Sequence, residues 1–354
     1  MKTEAKILIC YNAPVSIFPI YNGKPITDES KGTDLSEKNF LKELNVIQRS
    51  LLEFYTEVET LAIYHDVQKS INNINKFNPD VIYNFVESVE GIASYEWCIA
   101  GLFELLGFEY TGCNPASLGN CLNKARAKNI LNSRGIKTPQ HITLNPNSRF
   151  TKKDITINYP AIIKLLSEDA SIGISEYSVV NNYTELRKQF NFLTETYRQD
   201  VIIEEYIAGR ELNVAVLGEK VLPISEIDFK GLPKGLPSIV TYDGKWIGGS
   251  VYYKHTKPVC PVELNEKIKN KIIKIAIDAL EALSCRDYAR IDVRLDKKNV
   301  PYVIEVNPNP DISTDSGFTR AAAAAGISHK ELLNTIANFA LSRKKVNDTQ
   351  VKAG

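Results

Sequence analysis

Residues 288 to 307 constrain this chain more than any other stretch. From Tyr288 to Leu295 the side chains alternate, with Ile291, Val293 and Leu295 on one parity and Arg290, Asp292 and Arg294 on the other. Strict alternation is what a strand with one buried face requires. Asp296-Lys-Lys-Asn299 supplies turn residues, and Tyr302-Val-Ile-Glu-Val-Asn307 reads as the return strand. With an even-numbered turn, Arg290, Asp292, Val303, Glu305 and Asn307 share one face. A slip of one residue would invert that set.

Three oxygen-bearing side chains and a guanidinium on one face suit a divalent cation and a polyphosphate. Magnesium takes a few hard oxygen ligands and completes its shell with water and phosphate oxygen. Asp292, Glu305 and Asn307 meet that need, whereas no cysteine or histidine cluster points to zinc. The pattern also describes a hairpin with a charged, solvated outer face. The convergence of these groups on one face points to an ATP-using enzyme.

The length of 354 residues allows two or three domains, and an apolar share of 44% is enough for sizeable cores. A formal net charge of +1 gives no reason to expect nucleic-acid or membrane-surface binding. The six cysteines, Cys10, Cys98, Cys113, Cys121, Cys260 and Cys285, lack C-x-x-C spacing, so a reduced cytoplasmic protein is expected. Lys6-Ile-Leu-Ile-Cys10 is too short for a signal-peptide core and reads as a first strand. No apolar run approaches the roughly 20 residues of a membrane span.

Strands at 6–10, 58–64 and 81–86 alternate with helical patterns, which predicts a parallel sheet covered by helices over residues 1–115. Asn12 to Thr33 is a loop without clear period. Residues 116–204 read as an α+β unit, with a helix from Lys124 to Ser133 and strands at 140–144, 161–165, 177–180 and 201–204. Residues 205–342 open with strands at 211–217 and 220–224, pass through a Gly/Pro-rich stretch at 230–250, and close with the hairpin and two helices. A structureless stretch of that length is usually a functional lid. Residues 343–354 are polar and expected to be disordered.

Several nucleotide machines are absent. There is no G-x-x-x-x-G-K-[ST], no G-x-G-x-x-G after the first strand, and no H-R-D or D-F-G pair. The hairpin, taken with Asn307-Pro-Asn-Pro-Asp-Ile-Ser313 and Ala321-Ala-Ala-Ala-Ala-Gly-Ile-Ser328, instead resembles the ATP-grasp superfamily. The branch it looks most like is that of the D-alanine–D-alanine ligases, whose R-x-D-x-R and E-V-N motifs match Arg290-x-Asp292-x-Arg294 and Glu305-Val-Asn307. The resemblance implies an ATP-grasp fold, with a Rossmann-like N-terminal parallel-sheet domain followed by two lobes that grip ATP.

It also implies roles. Asp292, Glu305 and Asn307 would hold two magnesium ions (manganese being an alternative), with Glu305 bridging. Arg290 would meet the acyl phosphate and the tetrahedral intermediate, work that suits its planar fork. Glu204-Glu-Tyr-Ile-Ala-Gly-Arg-Glu211 looks like the hinge, with Glu204 and the backbone near Ile207 reading adenine and Glu211 the ribose. An exposed acidic loop is the plainer reading of that segment. Lys124 and Lys164 match the phosphate lysines. Lys124 also suits an ordinary surface helix, whereas a lysine inside the apolar run 160–165 needs a partner. Thr241-Tyr-Asp-Gly-Lys-Trp246 resembles the mobile loop, whose lysine would be Lys245, and a closing lid excludes water. Ser171 keeps a catalytic position in the phosphate loop.

Departures gather where amino acids would bind. Asp169 replaces a glycine, Ala170 a serine and Trp246 a tyrosine, and Glu87 stands near the place of a histidine. Pro310-Asp311 replaces Pro-Gly, while Ser316 keeps the carboxylate-binding serine. Ser36-Glu37 is a distant echo of the family's Ser-x-Glu. Glu87, Asp169 and Asp311 are therefore candidates for holding a substrate ammonium, or ordinary loop acids. The expected activity is ATP-dependent joining of a small carboxylate to a small amine through an acyl phosphate. An authentic, divergent D-alanine–D-alanine ligase and an ATP-binding protein without catalysis are the alternatives. Dimers are common in the resembled family, so a homodimer is the expectation it carries.

Overall fold

The computed structural model describes residues 2–25 and 32–353, with side chains through Lys345. Residues 26–31 of the expected loop, and Gly354 of the expected tail, lie outside the described residues.

The N-terminal layer contains β1 (Thr3–Asn12), α1 (Leu35–Leu52), β2 (Tyr55–Ile63), α2 (Val67–Phe77), β3 (Val81–Phe85) and α3 (Tyr95–Leu105). Its strands run parallel in the order β2-β1-β3. Successive residues of β1 feed two different cores. Ile7 and Ile9 pack with Ile47 and Leu51 of α1, while Leu8 and Cys10 pack with Ile74 of α2 and Phe103 of α3. Both faces are covered, as a parallel sheet demands. Helix α2 falls where the alternation of strand and helix calls for one, and its own residues carry the signals. Asp66 caps Lys69 N at 2.9 Å, and Ile71, Ile74 and Phe77 recur at helical spacing.

The central lobe comprises α4 (Pro115–Leu122), α5 (Lys124–Ser133), β4 (His141–Leu144), β5 (Ala161–Leu165), β6 (Val179–Val180), α6 (Tyr183–Tyr197) and β7 (Val201–Glu205). The antiparallel order is β4-β7-β5-β6. The third unit holds β8 (Gly209–Leu217), β9 (Lys220–Val221), β10 (Ser225–Asp228), α7 (Tyr242–Trp246), α8 (Val251–His255), β11 (Lys257–Val259), α9 (Glu266–Ala282), β12 (Tyr288–Asp296), β13 (Pro301–Asn307), α10 (Gly317–Ala324) and α11 (His329–Ala353). Its sheet runs β11-β10-β8-β12-β13, with β9 on β8. The strand expected over 220–224 stops at Val221, and an irregular Leu222-Pro-Ile224 separates it from β10. The Gly/Pro-rich stretch holds a short helix, α7.

The structure corrects two expectations. The polar tail from 343 onward is not disordered at its start, because α11 runs on to Ala353. Arg343 grips Asp287 through both carboxylate oxygens at 2.5 and 3.0 Å and donates to Tyr110 O at 2.7 Å. Asp287 also accepts from Gly112 N at 2.9 Å, so the last helix clamps the link between the N-terminal and central units. Secondly, Val303 does not share a face with Asp292. The ladder pairs Arg290 with Asn307, Asp292 with Glu305 and Val293 with Val303, leaving Ile304 as an extra residue in a β-bulge. The bulge returns Val303 to the core beside Val306 and keeps the polar pair opposite its partners.

Candidate active site

The polar face of the hairpin is built as a ladder. Arg290 donates twice to Asp292, at 2.8 and 2.9 Å. Asp292 also accepts from Asn213 of β8 at 2.7 Å and from Asn307 at 3.2 Å. Glu305 faces Lys124, whose ammonium lies 3.0 Å from one carboxylate oxygen. Burial alone would raise the Glu305 pKa. Lys124 first, then Lys164 and Lys245, outweigh it and hold the carboxyl down at about 2. Two carboxylates and one amide oxygen on adjacent strands fit a magnesium ion. Among the described residues no group of three or more His, Cys, Asp or Glu could hold a metal, so phosphate oxygens and water must complete such a shell.

Three lysines of the central lobe are buried around this face. Lys124 starts α5 and also contacts Asp169, at 3.1 Å, and Glu168 O, at 2.6 Å. Lys164 of β5 reaches Glu204 at 3.0 Å. Lys128, not among the expected site residues, reaches the other oxygen of Glu204 at 3.1 Å and donates to Ile304 O at 2.5 Å. Its signal was its place one turn after Lys124 on the same helix face. Glu204, expected at adenine, is only 1% exposed and has both oxygens on lysines. Burial would raise it, and Lys128 and Lys164 bring it below the ordinary carboxylate value. Two ammoniums around one carboxylate leave a local positive excess, which suits phosphate. Burial, opposed by Glu204 and reinforced by Lys164, lowers the pKa of Lys128.

Glu211, expected at ribose, pairs with Arg294 at 2.5 Å, and Ile207 O accepts from the same guanidinium at 3.1 Å. Arg294 also stacks over Tyr206, 5.2 Å from the ring centre. This network makes the hinge a rigid part of the cleft wall.

The lid segment lies against the phosphate loop. Ser171 donates to Val240 O at 3.1 Å, Tyr242 N donates to Ile174 O at 3.1 Å and Trp246 Nε1 donates to Ala170 O at 3.0 Å. Ala170 and Ser171 hold positive φ, 51° and 61°, a strained turn of the kind found at ligand clamps. Lys245 is exposed as a residue. Desolvation between the cleft walls, then Arg290, lowers its pKa.

The other end of the cleft is acidic. The Glu87 side chain opens into the cleft, yet the walls around it strip much of its hydration. That desolvation, then Asp311, Glu37 and Asp169, push its pKa up to about 8. Glu96 in the first turn of α3 is raised well above its usual range by burial, then by Glu87 and Asp169. Nothing in the sequence had singled it out. Glu37 accepts from Asn12 at 2.7 Å, Val15 N at 2.8 Å and Ser88 at 2.9 Å, so the faint Ser36-Glu37 echo occupies a built position. Asp311 accepts from Ser313 N at 2.8 Å. Ser316 is buried and caps α10, accepting from Thr319 N at 3.2 Å.

A family model described as the D-ala D-ala ligase C-terminus matches residues 130–338. The D-alanine–D-alanine ligase of Nitrosospira multiformis is 32% identical over 242 residues, 68% of this chain and 74% of that protein. The uncharacterized protein y4sG of Sinorhizobium fredii is 30% identical over 266 residues, 74% of this chain and 75% of its own. Among solved structures, the D-alanine–D-alanine ligase of Bacillus anthracis complexed with ATP superposes with a TM-score of 0.72. That match covers 97% of this chain and 99% of the other at 23% identity, a likeness of fold. No helix among the described residues is long and apolar enough to cross a membrane. Hairpin, lobes and sequence relationship agree: the chain belongs to the D-alanine–D-alanine ligase family of the ATP-grasp superfamily and is an ADP-forming, ATP-dependent ligase.

Proposed function

We propose that this ligase activates a small carboxylate as an acyl phosphate and joins it to an amine, both substrates being amino acids or close analogues. The observation that carries the reading is the facing pair of Asp292 and Glu305. One is held by Arg290 at 2.8 Å and the other by Lys124 at 3.0 Å, in register across the hairpin.

Lys124, Lys128 and Lys164 bind and orient the nucleotide phosphates, with Glu204 holding two of them apart. The hinge from Glu204 to Glu211 takes the nucleoside. Asp292, Glu305 and Asn307 would hold magnesium, which neutralises charge on the transferring phosphoryl group. A substrate carboxylate oxygen attacks the γ-phosphorus and the bond to the β-phosphate oxygen breaks, releasing ADP. The amine, as its neutral form, then attacks the acyl carbon; as the C–N bond forms the nitrogen keeps one N–H and gives up one proton, which leaves with the phosphate. Arg290 supports the oxyanion, and phosphate leaves with the C–O bond. Ser171 and Lys245 close the phosphate loop and lid over the reacting groups and exclude water. Glu87, Asp169 and Asp311 hold a substrate ammonium, and Ser316 lies at the carboxylate end. The six free thiols fit a reducing compartment such as the cytoplasm.

The second reading is a D-alanine–D-alanine ligase proper, favoured by relatives of that name. The acid-rich substrate end favours a different pair. ADP release measured over L- and D-amino acids, singly and in pairs, separates them. Release that needs two substrates other than D-alanine supports the first reading. Activity with D-alanine alone establishes the second, and ATP binding without turnover on any pair would overturn both.

A further inference from the structure

We propose that Lys24 is a positioning residue: a strap from the N-terminal unit, residues 13–25, latches lid helix α7 to the phosphate loop through it. The kinetic consequence rests on the ligase reading, whereas the latch itself stands on contacts alone.

The strap leaves β1 after Asn12 and plugs into the central lobe. Its Ile20 and Tyr21 are each 2% exposed and belong to the same hydrophobic cluster as Leu165, Leu193, Tyr197 and Tyr242. The backbone then runs along the phosphate loop. Gly173 N donates to Tyr21 O at 2.7 Å, and Ser175 Oγ donates to Gly23 O at 3.1 Å. The approach is so close that a Cβ on Gly23 would lie 2.2 Å from Gly173 O, and Gly23 has a φ of +68°. Only glycine satisfies both demands.

Lys24 follows, and its ammonium bridges two elements. It lies 2.7 Å from Asp243 of α7 and 2.9 Å from Glu176, just beyond the phosphate loop. All three side chains are a quarter exposed or less. Desolvation works against the charge, but Asp243 and Glu176 outweigh it and raise the Lys24 pKa above the ordinary lysine value. A second tie runs from the start of α1, where Leu35 N donates to Tyr242 Oη at 3.0 Å and Tyr242 Oη donates to Thr33 O at 3.4 Å.

These ties matter because α7 has five residues. A helix that short has no stability of its own, so its partners set its place. It carries Lys245, two residues past Asp243; its Trp246 donates to Ala170 O, and Val240 just before it accepts from Ser171, both in the phosphate loop. A lid has to move for nucleotide to enter and leave. A water-accessible ion pair can break and re-form in a way that the apolar plug of Ile20 and Tyr21 cannot. The plug therefore anchors the strap, and Lys24 fastens the lid to it.

Amide hydrogen exchange of the full-length protein tests this, with and without ATP and magnesium, for the wild type, Lys24→Met and Lys24→Arg. In Lys24→Met, exchange across 241–247 should rise roughly fivefold, the scale of one partly buried ion pair. Strands β5 and β7 should stay as protected as in the wild type, and Lys24→Arg should restore the lid. With active substrates, Lys24→Met should lower kcat more than it raises KM for ATP and should release more ADP per amide formed, since an unfastened lid admits water. Should Lys24→Met misfold, Asp243→Asn addresses the same pair from the lid side. Unchanged exchange at 241–247, or a rise spread evenly over the whole protein, would overturn the latch. A wild type that turns over no substrate pair would refute the ligase reading, while the exchange result would still decide the role of Lys24.

Discussion

The two ends of the cleft are made differently. At the phosphate end, Arg290, Asp292, Glu305 and Asn307 sit on paired strands, and β8 supplies Asn213 from the neighbouring strand. Backbone ladders fix those side chains. At the substrate end, Glu87, Asp169 and Asp311 come from three loops in three units of the chain, and each residue is open to the cleft. The residues proposed for the phosphoryl chemistry thus reside on the rigid part, and those proposed to choose a substrate occupy the part that loop changes can alter.

Substitutions can break that contrast, the most damaging first. Glu305→Gln should cut turnover by a factor on the order of 10²–10³ while the fold survives, since the role proposed for the residue is charge beside the phosphates. Normal turnover of a well-folded variant would remove Glu305 from the site. Lys128→Met should weaken nucleotide binding and cost about 3 kcal/mol of stability, because Glu204 and Ile304 O lose a buried partner. Calorimetric titration with ATP and thermal unfolding would read the two effects separately, and an unaltered ATP affinity would make Lys128 purely structural.

Glu87→Gln belongs to the loose end and should raise KM for the amine by up to about tenfold, with KM for ATP unchanged. Glu87 titrates at about 8 because desolvation in the cleft, then Asp311, Glu37 and Asp169, disfavour its charge. It is a carboxylate above that pH and becomes neutral as pH falls through it. Wild-type affinity for an ammonium should therefore weaken between about pH 8.5 and 7, and Glu87→Gln should flatten the profile. A profile identical in both proteins would exclude Glu87 from substrate binding. Smallest of all, Ser316→Ala should cost about 1 kcal/mol through loss of the α10 cap. A large rise in substrate KM beyond that would show that the hydroxyl also binds a carboxylate.

The same division governs what could be read from sequence. Alternation over 288–307 sufficed to place Arg290, Asp292, Glu305 and Asn307 together, because strand period is a local property. It misplaced Val303, since a bulge leaves no mark on alternation until pairing is known. The partners of Glu204 were invisible for a related reason. Lys164 and Glu204 meet across the β5–β7 pairing, and Lys128 joins them only where α5 packs beside that sheet. Glu96 escaped because an acid in the first turn of a helix is ordinary. The strap escaped because residues 12–33 have no period, and its order comes from another unit's core. The end of α11 was misjudged because a polar run says nothing of Asp287 waiting to receive Arg343.

The extra residue in β13 has one last implication. Lys128 rests on the main-chain oxygen of Ile304, so position 304 can change its side chain freely while its existence in the count of residues cannot change. Deleting it would join Val303 directly to Glu305 in a regular ladder and strip a buried ammonium of its seat. Genetic drift can rewrite that codon many times over, whereas removing it would leave the Lys128 ammonium without its main-chain acceptor.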